Sequence, residues 1–217
     1  DEPCHQALLA CFMLAFSIPY PNVGDTPAEI TVAYMQGRNP PNWYVFKDGV
    51  YSYIAKMLSH MPSGHQQRCS TPIERVSRTR TGVLVKPKNG PEEAFDRVVF
   101  ATTPDCILKL LEDPTEDEER RFGAWQPREF KTIAHTDDTI YQPYGTQTYG
   151  PCDYFALQDE RRYGYNSHLN NGYELGRDTL YNFSYNLDDV ISPDKVIHTA
   201  HHVTPNYTLD AMRYRKE

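Results

Sequence analysis

Apolar and polar residues alternate most regularly in two neighbouring stretches, Ile73 to Arg78 and Gly82 to Lys86. Alternation with a period of two predicts β-strands that bury one face. The turn residues Thr81-Gly82 lie between the two stretches, so together they predict a β-hairpin.

The pattern changes after the next turn. Within the stretch from Phe95 to Ala101, the run Val98-Val99-Phe100 is apolar at every position, which predicts a strand buried on both faces. The turn Thr102-Thr103-Pro104-Asp105 then leads into a predicted helix, which carries the apolar residues Ile107, Leu108, Leu110 and Leu111.

Helical spacing predicts further helices from Val50 to Met61 and, from the apolar run alone, over Ala7 to Ile18. The stretch from Ala28 to Gln36 fits either a helix or a strand, and Trp43 to Phe46 predicts a short strand. In Thr115-Glu116-Asp117-Glu118 a Thr precedes a Glu by three positions, which predicts a capping box at the start of an acidic helix.

From Thr132 onward the pattern is that of short strands separated by turns rich in Gly and Pro, which predicts an antiparallel sheet. The strands are predicted at 132–135, 152–156, 162–169, 180–186 and 196–203.

Composition and charge narrow the class of protein. Aromatic residues make up 12% of the 217 residues, which is more than disordered chains carry. Lys and Arg number 22 and Asp and Glu number 29, so the net charge is −7. This charge argues against nucleic acid and anionic membranes as partners.

Cysteine usage and hydropathy exclude other classes. The five cysteines form no Cys-x-x-Cys pair, which argues against a disulfide framework or a zinc ribbon. The apolar run from Ala7 to Ile18 is too short to span a bilayer, so we expect no transmembrane segment. We expect it to be a buried helix, the flank of a ligand pocket, or an interface of a homo- or hetero-oligomer. A cytoplasmic location is favoured over secretion.

Several stretches occur in the order and spacing of a known family: WYVFKDGVYSYIAKML at 43–58, TPIERVSRTRTGVLV at 71–85, FDRVVFATTPDCILKLL at 95–111, DPTEDEERRFGA at 113–124, IAHTD at 133–137 and, more loosely, 198–204. They resemble the FAD-dependent amine-oxidase-like flavoproteins, in the branch described as predicted NAD/FAD-binding proteins. The third stretch is similar to that family's "FD-x-VV-x-AT-x-x-D" passage.

The resemblance covers the middle of that family's fold. The Gly-rich turn that holds the FAD pyrophosphate in the family is absent, because no G-x-G occurs in this sequence. By the resemblance, Val76 would contact the adenine side of FAD through its backbone, and Ala101 and Thr102 would lie near the pyrophosphate. FAD would then be held only when another chain or segment completes the site.

Pattern and resemblance together predict an α+β fold in three parts. Residues 1–68 form a helical N-terminal part of a substrate domain, and residues 69–111 form a remnant of an FAD-binding α/β domain. Residues 112–217 form the antiparallel substrate-binding sheet, which flanking helices accompany.

Histidines on the last predicted strand are candidates for acid–base chemistry. Strand alternation places His198 and His202 on one face and His201 on the other. The three therefore do not converge on a metal ion, and we expect no metal. His198 and His202 beside a pocket would serve as a general base or a substrate donor; surface histidines are the alternative.

A second histidine candidate lies at the end of the first C-terminal strand. His135 and Asp137 share a face of an extended segment, so the carboxylate would orient the imidazole for acid–base catalysis. The alternative is a strand end followed by a solvated Asp137-Asp138 turn.

Tyrosine is unusually frequent, with 16 copies. Tyr163 and Tyr165 lie two positions apart, on one face of a predicted strand. Tyrosine has an apolar body and a polar tip, which suits a pocket for a small organic substrate, and its phenol can donate a proton. The alternative is that tyrosine is simply favoured in half-buried strands.

Three functions are consistent with these observations. The first is the portion of an amine-oxidase-like flavoprotein oxidoreductase that binds a small organic substrate. The second is a flavin-free isomerase or cyclase that uses Tyr and His as acid and base. The third is a non-catalytic binding or assembly subunit whose N-terminal apolar run is an interface.

Overall fold

The computed structural model describes residues 26–35, 44–145, 153–157, 162–173, 175–176 and 178–216. The fold is α+β, with one sheet of three strands and one of five. The chain divides into two compact units: the first comprises Asp1–Val50 and Glu129–Val203, and the second comprises Tyr51–Arg128 and Thr204–Glu217. The predicted division at residues 68 and 111 does not coincide with these units and stays a prediction.

The described α-helices are α1 Ala28–Met35, α2 Val50–Ser59, α3 Pro104–Leu110, α4 Glu116–Gly123, α5 Leu169–Tyr173 and α6 Leu209–Arg213. Short 3-10 helices span Thr139–Tyr144, Pro193–Lys195 and Tyr214–Lys216. The strands are β1 Ile73–Arg78, β2 Val83–Pro87, β3 Glu93–Phe95, β4 Pro127–His135, β5 Asp153–Leu157, β6 Arg162–His168, β7 Asn182–Tyr185 and β8 Val196–Pro205. The predicted helix at 7–18, which carries the oligomer prediction, lies outside the described residues.

The second unit contains the predicted hairpin. Strands β1 and β2 pair antiparallel, with Val76 opposite Val85, and β3 pairs with the other edge of β2. Val76 is buried and also bridges Leu111, which follows helix α3. The end of helix α3 therefore lies close to β1, where it contacts the buried Val76.

The capping box at the start of α4 is confirmed. The Thr115 hydroxyl accepts a hydrogen bond from the Glu118 backbone, and the Glu118 carboxylate accepts one from the Thr115 backbone. Both bonds satisfy N–H groups that the first turn of a helix leaves without a helical partner.

Two predicted strands are wrong. The strand β3 ends at Phe95, and the apolar run that follows it is not a strand, with Val99 89% exposed. Residues 44–46 are also outside any strand and are exposed. A strand needs neighbouring strands that pair with its backbone groups, and neither segment belongs to either of the described sheets.

The first unit contains the five-stranded sheet, in the order β5-β6-β7-β4-β8. The pairs β5/β6, β6/β7 and β7/β4 are antiparallel, so the antiparallel C-terminal sheet is confirmed for these strands. The apolar core lies against one face of the sheet and consists of Ile133, Ile140, Tyr141, Phe155, Leu187 and Ile191.

Candidate functional site

A row of five side chains crosses the face of the sheet opposite the core. Tyr154 lies opposite Tyr165, Tyr165 opposite Tyr185, and Tyr185 opposite Thr132. The Thr132 Oγ1 atom lies 2.8 Å from Nε2 of His202 on β8. Because neighbouring strands lie about 4.8 Å apart, the row is about 19 Å long. We call this surface the aromatic face.

Neighbouring rings on the aromatic face contact one another. The rings of Tyr154 and Tyr165 have centroids 5.7 Å apart, and Phe130 meets Tyr185 edge to face at 5.3 Å. Phe130 also stacks on the His202 imidazole at 4.8 Å. Tyr154 is 50% exposed, whereas Tyr185 and Thr132 are 5% and 6% exposed. The face therefore offers aromatic surface to a ligand at its Tyr154 end and places an oriented imidazole at the other end.

The predicted catalytic residues do not form one cluster. Tyr163 and Tyr165 share the aromatic face, with Tyr163 buried. Tyr165 lies three strands from His202, a separation of about 14 Å. His198 is exposed and lies four residues before His202 on β8, about 13 Å away along the strand. The catalytic roles of these residues stay predictions.

His135 lies on the opposite face of the sheet and is fully buried. The Asp137 backbone N–H donates to its Nδ1 atom over 3.1 Å. Its Nε2 atom therefore carries the hydrogen and donates to Ser184 Oγ over 2.8 Å, and Ser184 donates to Asn166 Oδ1 over 2.7 Å. Burial lowers the pKa of His135, so the ring is held neutral.

The hydrogen bonds continue from the Asn166 amide. Its Nδ2 atom donates to the Asn182 Oδ1 atom over 3.0 Å and to the Tyr141 hydroxyl over 2.8 Å. Tyr141 in turn donates to the Asp153 carboxylate over 2.7 Å, and Asn182 donates to the Asp137 carbonyl over 3.2 Å. We call these side chains, with His135 and Ser184, the buried polar network.

The expected pairing of His135 with the Asp137 carboxylate is wrong. The backbone N–H of Asp137 contacts the imidazole, whereas its carboxylate accepts from Thr139 and from the Ser192 backbone. Burial alone would raise the pKa of Asp137, but the hydrogen bonds from Ser192 and Thr139 hold it below its usual value. The alternative of a solvated turn is also wrong for Asp137, which is buried.

Sequence reasoning missed most of the buried polar network. Its members on β6 and β7 are Asn166 and the pair Asn182 and Ser184, polar residues at alternate positions of their strands. Polar residues at alternate positions usually indicate the solvated face of a strand. The sequence pattern therefore predicted exposure for side chains that the structure buries.

The residues predicted to hold FAD do not fit a dinucleotide by themselves. The Val76 carbonyl already accepts from the Glu112 N–H over 3.0 Å. Ala101 and Thr102 are exposed and lead into α3, whose first residue is Pro104 and lacks an N–H. The predicted FAD contacts therefore stay predictions.

Clusters of metal-ligating side chains and helices able to cross a membrane are both absent from the part of the chain that the structure describes. There, no group of three His, Cys, Asp or Glu side chains is arranged to hold a metal ion. No described helix is long and apolar enough to cross a membrane.

Comparison with known proteins points to one fold. No family model and no curated protein matches this sequence. Among solved structures, the chain is similar to a CLA-producing fatty acid isomerase from P. acnes, with a TM-score of 0.57 and 12% sequence identity. The match covers 98% of this chain and 54% of that chain. This chain therefore spans about half the length of the structure it matches, and the likeness shows the fold alone.

Proposed function

We propose that this chain forms the substrate-binding part of an isomerase that acts on an elongated apolar organic molecule, without a flavin held by the chain itself. The observation that carries the proposal is the row on the aromatic face, which ends at the hydrogen-bonded pair Thr132 and His202.

The aromatic face suits an elongated apolar substrate. Aromatic rings contribute large apolar contact areas, and tyrosine adds a polar tip that orients the ligand. Tyr154 and Phe183 are exposed on this face, and the row runs for about 19 Å across the strands. Because Tyr185 and Thr132 are buried, a chain-like substrate would pass over them and contact the exposed Tyr154 and Phe183.

His202 is the acid–base group of the proposal. When Nε2 carries the hydrogen and donates to Thr132, the lone pair of Nδ1 faces the substrate side. Nδ1 takes a proton from a carbon next to a double bond, the double bond shifts by one position, and the imidazolium returns the proton to the far carbon. The step conserves atoms and needs no oxidant. Tyr165 is too far away to share it and serves in binding.

The fold likeness supports this reading, because the similar structure is described as a fatty acid isomerase. A fatty acid is an elongated apolar molecule, which agrees with the shape of the aromatic face. We therefore take an unsaturated fatty acid as the first substrate to test.

The test incubates the full chain with a fatty acid that has isolated double bonds and follows the ultraviolet absorbance of conjugated dienes. His202→Ala should lower the rate by about 100-fold or more, as expected for loss of a general base. The matched control is His201→Ala, which changes an exposed histidine of the same strand that alternation places on the other face and should leave the rate unchanged. Absence of any isomer, or full activity of His202→Ala, would overturn the proposal.

A second candidate is an oxidoreductase portion that holds FAD only with another chain or segment. The observation that favours it is the apolar run Val98-Val99-Phe100, in which Val99 is 89% exposed and which a further strand or chain would cover. Titration of the full chain with FAD, followed by flavin fluorescence, tests it. Tight binding of FAD by the chain alone would show that no partner is needed, and it would also contradict the proposal that the chain itself holds no flavin.

A further inference from the structure

Strand β8 forms one edge of the five-stranded sheet. It lies beside β4, and among the residues that the structure describes no strand pairs with its other side. It is also the longest described strand, with ten residues from Val196 to Pro205. An edge strand presents a row of backbone N–H and C=O groups, which form a template for pairing with another chain.

Natural proteins usually protect such an edge with charged residues or proline. Strand β8 has these only at its ends, since Lys195 directly precedes it and Pro205 is its last residue. The nine residues between them include no Asp, Glu, Lys, Arg, Gly or Pro. Ile197 and Val203 are 57% and 51% exposed. The edge therefore carries exposed apolar side chains and has no residue along it that would prevent pairing.

The residues of this edge are arranged symmetrically about Ala200. Ile197 precedes it by three positions and Val203 follows it by three. In an antiparallel pair of identical strands centred on one residue, these two positions lie opposite each other, once on each side of the centre. Lys195 and Pro205 lie five positions to either side, so the pairing would end where Lys195 meets a proline that has no N–H.

We propose that β8 pairs antiparallel with β8 of a second copy of this chain, with a two-fold axis at Ala200. A two-fold interface uses the same surface of both subunits, and the symmetric placement of Ile197 and Val203 meets this condition. A strand of unrelated sequence would match this spacing less well than a reversed copy of β8 does.

The pairing joins the two five-stranded sheets into one continuous sheet. Residues that lie opposite each other in an antiparallel pair share a face. Because the axis passes through a residue, the aromatic faces of the two copies lie on the same side of the joined sheet. The inference goes beyond the proposed isomerase and does not depend on it, since its test measures association and not activity.

Sedimentation velocity of the full chain over a range of micromolar concentrations tests the association, and we expect a dimer that forms with increasing concentration. Val203→Lys places an ammonium group against Ile197 in both contacts and should raise the Kd of the dimer by about tenfold or more. The matched control is Val190→Lys, the same change at an apolar residue outside β8 that is 40% exposed. It should leave the Kd as it is in the wild type.

Oxidative cross-linking tests the register, in a Cys69→Ser background that removes an exposed native thiol. Opposite residues of an antiparallel pair have Cα atoms about 4.5–5.5 Å apart, which a disulfide can bridge. Ala200→Cys, treated with diamide as the oxidant, should therefore form a covalent dimer. The control is His198→Cys, at a more exposed position. Its two copies would lie four positions apart along the strands, about 13 Å, so it should form little of that dimer.

Far-ultraviolet circular dichroism checks that each variant is folded. The proposal is overturned if the wild type sediments as a monomer at every concentration, or if Val203→Lys and Val190→Lys have the same dimer Kd. It is equally overturned if His198→Cys forms the covalent dimer as readily as Ala200→Cys does.

Discussion

The Nε2 atom of His135 lies 2.8 Å from the Oγ atom of Ser184, and neither side chain exposes any surface. The two residues lie on β4 and β7, which are neighbouring strands in the sheet although 49 positions separate them in sequence. The His135 Nδ1 atom accepts from the Asp137 N–H, and Ser184 Oγ donates to Asn166 Oδ1. The bond between the two residues therefore holds a single imidazole tautomer and links the two strands in register.

We expect Ser184→Ala to destabilise the fold. The substitution leaves the His135 Nε2–H and the Asn166 Oδ1 atom buried without their partner, which costs about 1–3 kcal/mol. Urea denaturation followed by tyrosine fluorescence measures the free energy of unfolding. Ser63→Ala, at an exposed position, is the control. Equal stabilities of the two variants would show that the network contributes nothing.

Stability should fall as the pH drops below about 6.5, the ordinary pKa of histidine. Burial lowers the pKa of His135 and also that of His168, the latter partly offset by Asp153. Below pH 6.5 the unfolded chain therefore binds protons that the folded chain does not. The free energy of unfolding decreases until the pH reaches the lowered pKa values of the folded state.

Denaturation midpoints at a series of pH values from 8 to 5 measure this dependence. His135→Asn should make the dependence shallower, whereas His198→Ala, at an exposed site, should leave the slope as it is in the wild type. If His135→Asn leaves the slope unchanged, the pH dependence of stability does not come from His135.

Gly164 on β6 allows the close approach of Leu187, a buried core residue. A Cβ atom at position 164 would overlap the Leu187 side chain, so we expect Gly164→Ala to cost about 1–3 kcal/mol through overpacking. The double variant Gly164→Ala/Leu187→Ala should cost less than the sum of the two single changes. Strict additivity of the unfolding free energies would show that the two residues do not compete for space.

Thr132 should act through His202 in the proposed reaction. Thr132→Val keeps the shape of the side chain and removes the oxygen that lies 2.8 Å from Nε2. We expect kcat to fall by about tenfold and the pH profile of kcat to shift, while KM stays unchanged. A purely structural role predicts a loss of stability with an unchanged pH profile, so the profile separates the two. Thr199→Val on β8 is the control.

The capping box of α4 gives a prediction in the second unit. Thr115→Ala removes the acceptor for the Glu118 N–H, and loss of such a cap costs about 1 kcal/mol. Thermal unfolding measures the effect, with Thr81→Ala, at an exposed turn position, as the control. If Thr115→Ala and the control have the same midpoint of thermal unfolding, the cap does not stabilise the protein.

Local features followed directly from the sequence. The alternation at Ile73–Arg78 places β1 within its observed bounds, and the spacing of Thr115 and Glu118 identifies the cap of α4. The strands β5 to β8 were also predicted to within two residues at each end, whereas β4 begins at Pro127, five residues before its predicted start. These features depend on residues close together in the chain, so a short window of sequence contains the physical information that determines them.

The apolar run at Val98-Val99-Phe100 shows that a short window of sequence does not determine burial. Its composition fits a buried strand, yet Val99 is 89% exposed, because burial depends on which other segments pack against it. Asp137 shows the opposite error: the alternative of a solvated Asp137-Asp138 turn fails, because the fold buries Asp137 together with His135.

The sequence by itself determined that this is an α+β chain with a hairpin, a capped acidic helix and a C-terminal sheet of alternating strands. Only the tertiary structure decided the strand order β5-β6-β7-β4-β8, which brings Tyr165 beside Tyr185 and Thr132 beside His202 and encloses His135 on the other face. The physical reason is that alternation assigns a side chain to one of two faces but does not choose the neighbouring strand. That choice depends on which distant segments bury their apolar surface together while pairing their polar groups.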